Sequence, residues 1–185
     1  MLKPSFRSLA RNWWPALVWL GIIRTESTDM ASANNTSEVL YKVLSLAVPH
    51  LQPAFVDSLD EVLRKCGHFL GYGILSVLVF LALRNTNRDR LRALLRRSWG
   101  IYLRDLWRAE WAFIGILVTA VTATYDEIHQ SFIPSRGGRW QDVVLDTCGA
   151  VLLQVAVYVL ATRTLKRRGP AAPQPQLTPT RLSDR

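Results

Sequence analysis

Hydrophobic residues are concentrated in four blocks of the chain, separated by polar and basic segments. Two of the blocks, 66–83 and 142–162, come close to the roughly 20 apolar residues that a helix needs to cross a hydrocarbon layer of about 30 Å. The block at 110–125 reaches that length only if the polar residues 126–130 continue the helix. Because nothing in these blocks alternates like a barrel strand, the pattern predicts three membrane-spanning helices.

The first block, residues 13–23, has two interpretations. Its length, the basic residues ahead of it and an A-x-A sequence at 31–33 are typical of a cleaved secretion signal. Its three tryptophans are instead typical of interfacial anchors, and Pro15 lies in the first turn, where its missing N–H is tolerated. We favour a retained helix, so the fold class predicted is all-α, a four-transmembrane-helix bundle within a domain at 13–165. Its helices are expected at 13–23, 66–83, 110–130 and 142–162.

Basic residues alternate between the two sides of this predicted bundle. Of the 23 Lys and Arg residues, three precede the first block, eight lie between the second and third blocks, and six follow Ala161. The remaining six lie in the other two connections. Because Lys and Arg are enriched in cytoplasmic loops, both termini, including residues 1–12, should be cytoplasmic. Topology thus accounts for the net charge of +9, and no nucleic acid is expected as a partner.

Three segments outside the predicted spans have patterns of their own. Residues 88–108 are rich in arginine with apolar residues at helical intervals, which predicts an amphipathic helix on the anionic cytoplasmic leaflet. Residues 166–185 are basic and rich in proline, which predicts disorder. Residues 39–47 have apolar positions at helix-like intervals, so we expect a short amphipathic helix at the outer interface, as a lid over a polar site.

That polar site is predicted from three sets of residues at the outer ends of the last three helices, each set sharing one helical face. Ionisable side chains at membrane depth cost roughly 2.5–3.5 kcal/mol each on insertion scales, so they turn toward a bundle interior or a wet cavity. We therefore predict one outward-facing pocket, with Arg136 across its mouth, free to bond a phosphate or a carboxylate. The three sets are Lys65, His68 and Tyr72; Asp126, Glu127 and Gln130; and Asp142 and Asp146, which share their face with Gly149, a small residue expected to permit close helix packing.

Three roles for this pocket remain open at the level of sequence. It binds a ligand, or it catalyses a reaction with Glu127 or Asp126 as general base and His68 as acid, or it is an ion-pair network that fixes helix register. No metal-binding spacing, phosphate-binding loop or nucleophile motif is present, so we expect neither a metal nor a cofactor. The two cysteines lie in apolar blocks and indicate neither a disulfide framework nor a zinc site.

These residues also carry a resemblance to the VanZ-like family of bacterial membrane proteins, over about residues 13–160. The family's pattern has Lys-x-x-His-x-x-x-Tyr in one helix, Asp-Glu-x-x-Gln-x-Phe-x-Pro-x-Arg at the end of the next, and an Asp followed seven residues later by Gly in the last. One position departs: where the family usually has Asn, this chain has Asp146, an extra acid that is either protonated or neutralised by Lys65 or Arg136. The matching residues are Lys65, His68, Tyr72, Asp126, Glu127, Gln130, Phe132, Pro134, Arg136, Asp142 and Gly149.

The resemblance implies a multi-pass protein of the bacterial inner membrane and a link to glycopeptide resistance, teicoplanin in particular, as for the family's namesake. It implies no established reaction. Our expectation is therefore a protein whose partners are membrane lipids and whose pocket binds an anionic envelope lipid, a lipid-linked cell-envelope precursor or a glycopeptide-like ligand. The alternatives are a membrane enzyme acting on such a precursor and a structural membrane subunit.

Overall fold

The chain folds as a set of α-helices in a computed structural model that describes residues 5–26, 33–46, 48, 52–94, 107–133 and 137–168. No strand occurs within these ranges, so the all-α prediction is confirmed for them. Parts of three sequence predictions, namely residues 1–4, 95–106 and 169–185, lie outside the described residues. The helices are α1 (Phe6–Glu26), α2 (Ala33–Ser45), α3 (Pro53–Leu94), α4 (Ala109–Ser131) and α5 (Trp140–Arg168).

Three of the helices are long and apolar enough to cross a membrane. These spans are Pro53–Asn87 in α3, Ala109–Ser131 in α4 and Trp140–Thr164 in α5. They contain the last three predicted spans, which supports a multi-pass membrane protein. The first predicted span, 13–23, lies within α1, where a short apolar segment is flanked by polar and basic residues. Since α1 is not among the three, a fourth crossing stays a prediction.

The central helix, α3, is much longer than the sequence pattern indicated. It begins at Pro53, where a missing backbone N–H costs nothing because the first residues of a helix have no intrahelical acceptor. Ahead of it, the sequence predicted a short amphipathic helix at 39–47, which the structure places at Ala33–Ser45 as α2. The helices α1, α2, α4 and α5 all pack against α3, and α4 also packs against α5.

The core is narrow, as expected for helices that share most of their surface with lipid. Around α3, Tyr72, Leu75 and Val79 are buried against Ala16 and Ile23 of α1. Large apolar side chains on the opposite faces remain exposed in the isolated chain. Such a distribution follows because lipid tails are as apolar as leucine and give no reason to bury these faces. The exposed residues on α4 and α5 include Phe113, Leu117, Val121, Leu152 and Val155.

Close contact between α3 and α5 depends on a small residue and on one polar side chain. A Cβ atom added at Gly149 would lie 2.1 Å from the backbone oxygen of Phe69, so only glycine permits this approach. Further along the same interface, Nε2 of Gln154 donates to the backbone oxygen of Ser76 at 3.0 Å and to its Oγ at 2.9 Å. Small residues and interhelical hydrogen bonds are the usual means of packing helices in membranes. The expectation that Gly149 permits close packing is confirmed.

We expect Gly149→Ala to lower the free energy of unfolding by about 1–3 kcal/mol, the usual cost of overpacking, because α3 and α5 must separate. The matched control is Gly67→Ala, at another helical glycine, where an added Cβ meets nothing within 4 Å. That control should leave stability unchanged or slightly raised. Thermal unfolding of detergent-purified protein measures both; a Gly149→Ala melting temperature equal to that of wild type would contradict the packing described.

Candidate functional site

A polar cavity of about 470 Å³ lies at the end of the bundle where α3 and α5 begin and α4 ends. Its wall is dominated by charged side chains, with five carboxylates, three Lys or Arg side chains and one histidine. α2 contributes Ser37, so this helix lies beside the cavity, and its role as a lid stays a prediction. The lining residues are Ser37, Asp57, Asp60, Glu61, Arg64, Lys65, His68, Glu127, Gln130, Gly137, Arg139, Asp142 and Leu145.

Five of the nine residues expected to bind a ligand line this cavity, and one of them ties two helices together. Oε2 of Glu127, at the end of α4, accepts the backbone N–H of Arg139 at 2.7 Å, just before α5 begins. The connection is tight at Gly138, where an added Cβ would lie 2.2 Å from the backbone oxygen of Glu127. The backbone of the α4–α5 connection therefore holds the carboxylate of Glu127 in place. The five residues are Lys65, His68, Glu127, Gln130 and Asp142.

Three further predicted residues, Tyr72, Asp126 and Asp146, are buried among the helices and are not part of the cavity wall, each with only 1% of its surface exposed. Asp126 accepts hydrogen bonds from the hydroxyl of Tyr72 and from the guanidinium of Arg24. Arg24 also lies over the ring of Tyr125, with 4.9 Å between Cζ and the ring centroid. One buried carboxylate thus joins α1, α3 and α4.

The extra acid at Asp146 lies next to His68. Nδ1 of His68 and Oδ2 of Asp146 are 3.6 Å apart, and the His68 ring stacks on Tyr72 with 5.9 Å between centroids. Lys65, one of the expected partners of Asp146, instead donates to Oε1 of Glu61 at 2.7 Å. The other expected partner, Arg136, lies outside the described residues. The basic side chain next to Asp146 is therefore that of His68.

The sequence reading missed the part of the cavity wall that the first turns of α3 supply. Asp57, Glu61, Arg64 and His68 stand at i, i+4, i+7 and i+11, a helical stripe that continues the predicted one toward the N-terminus. This pattern was present in the sequence, but the helix was predicted to begin only at residue 66. No spacing in the sequence indicated that Arg24 would pair with Asp126.

The fold and the cavity define an α-helical, multi-pass membrane protein whose ionisable residues converge at one end of the bundle. The chain belongs to the VanZ/LLP1 family, since the family's model matches residues 12–161. This match confirms the resemblance carried by the three motifs. Searches of curated proteins and of solved structures found no match. In the described part of the chain, no group of three or more His, Cys, Asp or Glu residues is arranged to hold a metal ion.

We expect Asp126→Asn to lower the free energy of unfolding by about 2 kcal/mol, because it removes a buried charge that two hydrogen-bond donors share. The control is Glu38→Gln, which breaks an ion pair with Lys42 on the exposed surface of α2 and should leave stability unchanged. Unfolding in detergent measures both variants. Equal effects at the two positions would show that Asp126 does not hold the helices together.

Proposed function

We propose that this protein binds the anionic head group of an envelope amphiphile, a lipid or a glycopeptide-like molecule, in the cavity at the end of the bundle. The observation that carries this proposal is the presence of Arg64 and Arg139 on the cavity wall. Among the described residues, neither guanidinium forms a direct ion pair, so both have donors to offer. Arginine presents paired N–H donors that match the oxygens of a phosphate or carboxylate.

The surroundings of the cavity suit a ligand that is part polar and part apolar. On α3, Phe55, Val62 and Leu63 are more than half exposed and lie within the same turns that supply cavity residues. On α2, Val39 and Val43 are also more than half exposed. A molecule with its head group in the cavity can therefore keep its acyl chains against apolar surface, in the lipid.

The proposed location is the outer face of a bacterial inner membrane, with both termini in the cytoplasm. The support is the distribution of basic residues, which favours the end of the bundle opposite the cavity. In that orientation the cavity meets envelope precursors and externally added glycopeptides. A link to antibiotic resistance would follow if such a ligand were held or withdrawn at this site.

A reaction on the bound ligand is a second candidate, favoured by the presence of both Glu127 and His68 on the cavity wall. These two side chains are placed to serve as general base and acid toward a ligand in the cavity. Asp126, the other candidate base, is hydrogen-bonded to Arg24 and Tyr72 and does not line the cavity. Turnover lost in Glu127→Gln with ligand binding intact would identify an enzyme. A structural subunit would instead tolerate conservative neutralisation of the wall.

For binding, we expect Arg139→Ala and Arg64→Ala each to weaken retention of phosphatidylglycerol roughly tenfold, the loss of one charge-assisted hydrogen bond. The backbone N–H of Arg139 that Glu127 accepts is kept in the alanine variant. The matched control is Arg163→Ala, an exposed arginine near the other end of α5, which should bind as wild type does. Native mass spectrometry of the detergent-purified protein gives the bound fraction. Unchanged binding in both cavity variants would remove the proposal.

For orientation, we expect Gly137→Cys to react with a membrane-impermeant maleimide in intact cells, whereas Thr164→Cys should react only after permeabilisation. Gly137 lines the cavity and an added Cβ there meets nothing within 4 Å, so the substitution fits. Both variants are made with Cys66 and Cys148 replaced by alanine, because these native thiols are exposed. The reverse labelling pattern would place the cavity on the cytoplasmic side.

A further inference from the structure

The charges of the cavity wall fall into two regions, one with acids and cations in equal number and one in which acids predominate. In the first region, on α3 and the α4–α5 connection, the three cations Arg64, Lys65 and Arg139 lie around Glu61, and α3 also contributes Asp57 and Asp60 to the wall. Nζ of Lys65 donates to the carboxylate of Glu61 at 2.7 Å, and Arg64 and Arg139 also attract it electrostatically. Because neither Arg64 nor Arg139 forms a direct ion pair among the described residues, both guanidinium groups have donors for a negatively charged group.

In the second region, acids predominate. Glu127 is repelled electrostatically by Asp142 and by Asp146, and Asp146 is also repelled by Asp142. His68 attracts both Glu127 and Asp146. Since Glu127 and Asp142 line the cavity, this region presents carboxylate oxygens to whatever occupies it. Carboxylates crowded together at a buried wall are stabilised by a cation placed between them.

An unpaired polar group on the same wall independently indicates a ligand. Gln130 lines the cavity with only 7% of its surface exposed, and its buried Nε2 has no hydrogen-bond partner among the described residues. A buried amide N–H without an acceptor costs free energy, so native structures pair such groups with protein, water or ligand. An oxygen of a bound molecule would satisfy this donor.

We propose that the ligand of this cavity is zwitterionic, a phosphate ester that carries a primary amine on a short linker. The phosphate lies by Arg64 and Arg139, the ammonium lies between Glu127 and Asp142, and Gln130 donates to a ligand oxygen. A purely anionic group would leave the acidic wall without a counter-charge, since the cavity has five carboxylates for three Lys or Arg side chains. The inference rests on the proposed function, because it specifies the head group bound at the same site.

The test compares phosphatidylethanolamine with phosphatidylglycerol of identical acyl chains, bound to the full-length protein in detergent and measured by native mass spectrometry. We expect the amine-bearing lipid to bind roughly tenfold more tightly, the effect of a hydrogen bond between charged groups. Equal binding, or tighter binding of phosphatidylglycerol, overturns this inference and leaves the proposed function standing. Binding of neither lipid overturns both.

Variants then locate the ammonium group. Asp142→Asn and, separately, Glu127→Gln should each weaken binding of phosphatidylethanolamine roughly tenfold while leaving phosphatidylglycerol unaffected. Glu38→Gln removes one negative charge near the cavity but outside its wall, and should keep the full preference. If both wall variants still bind phosphatidylethanolamine more tightly than phosphatidylglycerol, the ammonium group does not lie between Glu127 and Asp142, and the assignment is overturned.

A last arm distinguishes a lipid head group from a soluble molecule of the same chemistry. Phosphoethanolamine is added as a competitor to the protein loaded with phosphatidylethanolamine. Displacement at millimolar concentration supports recognition through the head group alone, and persistence of the lipid supports an amphiphile held also by its chains.

Discussion

Hydrocarbon cannot solvate a charged side chain, and this constraint determines where the ionisable residues of α3, α4 and α5 lie. Each of these helices has carboxylates or basic groups near the cavity end, and none of the groups can face lipid without a large cost in free energy. They are turned toward one another or toward a single cavity. The close approach of α3 and α5 at Gly149 makes this convergence possible, because it brings the polar faces of the helices together.

The ionisable residues divide into those that hold the helices and those that are available to a ligand. Asp126 accepts hydrogen bonds from Arg24 of α1 and Tyr72 of α3, and only 1% of its surface is exposed. By contrast, the side chains of Asp142 and Arg64 line the cavity and form no hydrogen bond or direct ion pair with another described residue. If the charged residues served only to fix helix register through ion pairs, charged side chains without a partner would not be needed. The division is therefore the strongest structural argument for a binding site.

Much of this arrangement could be predicted from the sequence, because helical periodicity is a local property. The spacing of Lys65, His68 and Tyr72 placed them on one face, although Tyr72 proved to be buried beneath the cavity wall rather than on it. The N-terminal turns of α3 were missed because Pro53 is compatible both with a loop and with the first position of a helix. The pairing of Arg24 with Asp126 spans 102 residues and depends on how α1 packs, which no local pattern encodes.

The length of α3 has a consequence for how a ligand reaches the cavity. Its 42 residues extend over about 63 Å at 1.5 Å per residue, roughly twice the thickness of the hydrocarbon layer. A helix of that length projects beyond the bilayer core at one face or both, unless it tilts steeply. If its first turns are among the projecting residues, Asp57 and Glu61 lie outside the hydrocarbon layer, beside the lipid head groups. A lipid could then be captured by sideways diffusion within its leaflet, without its tails leaving the bilayer.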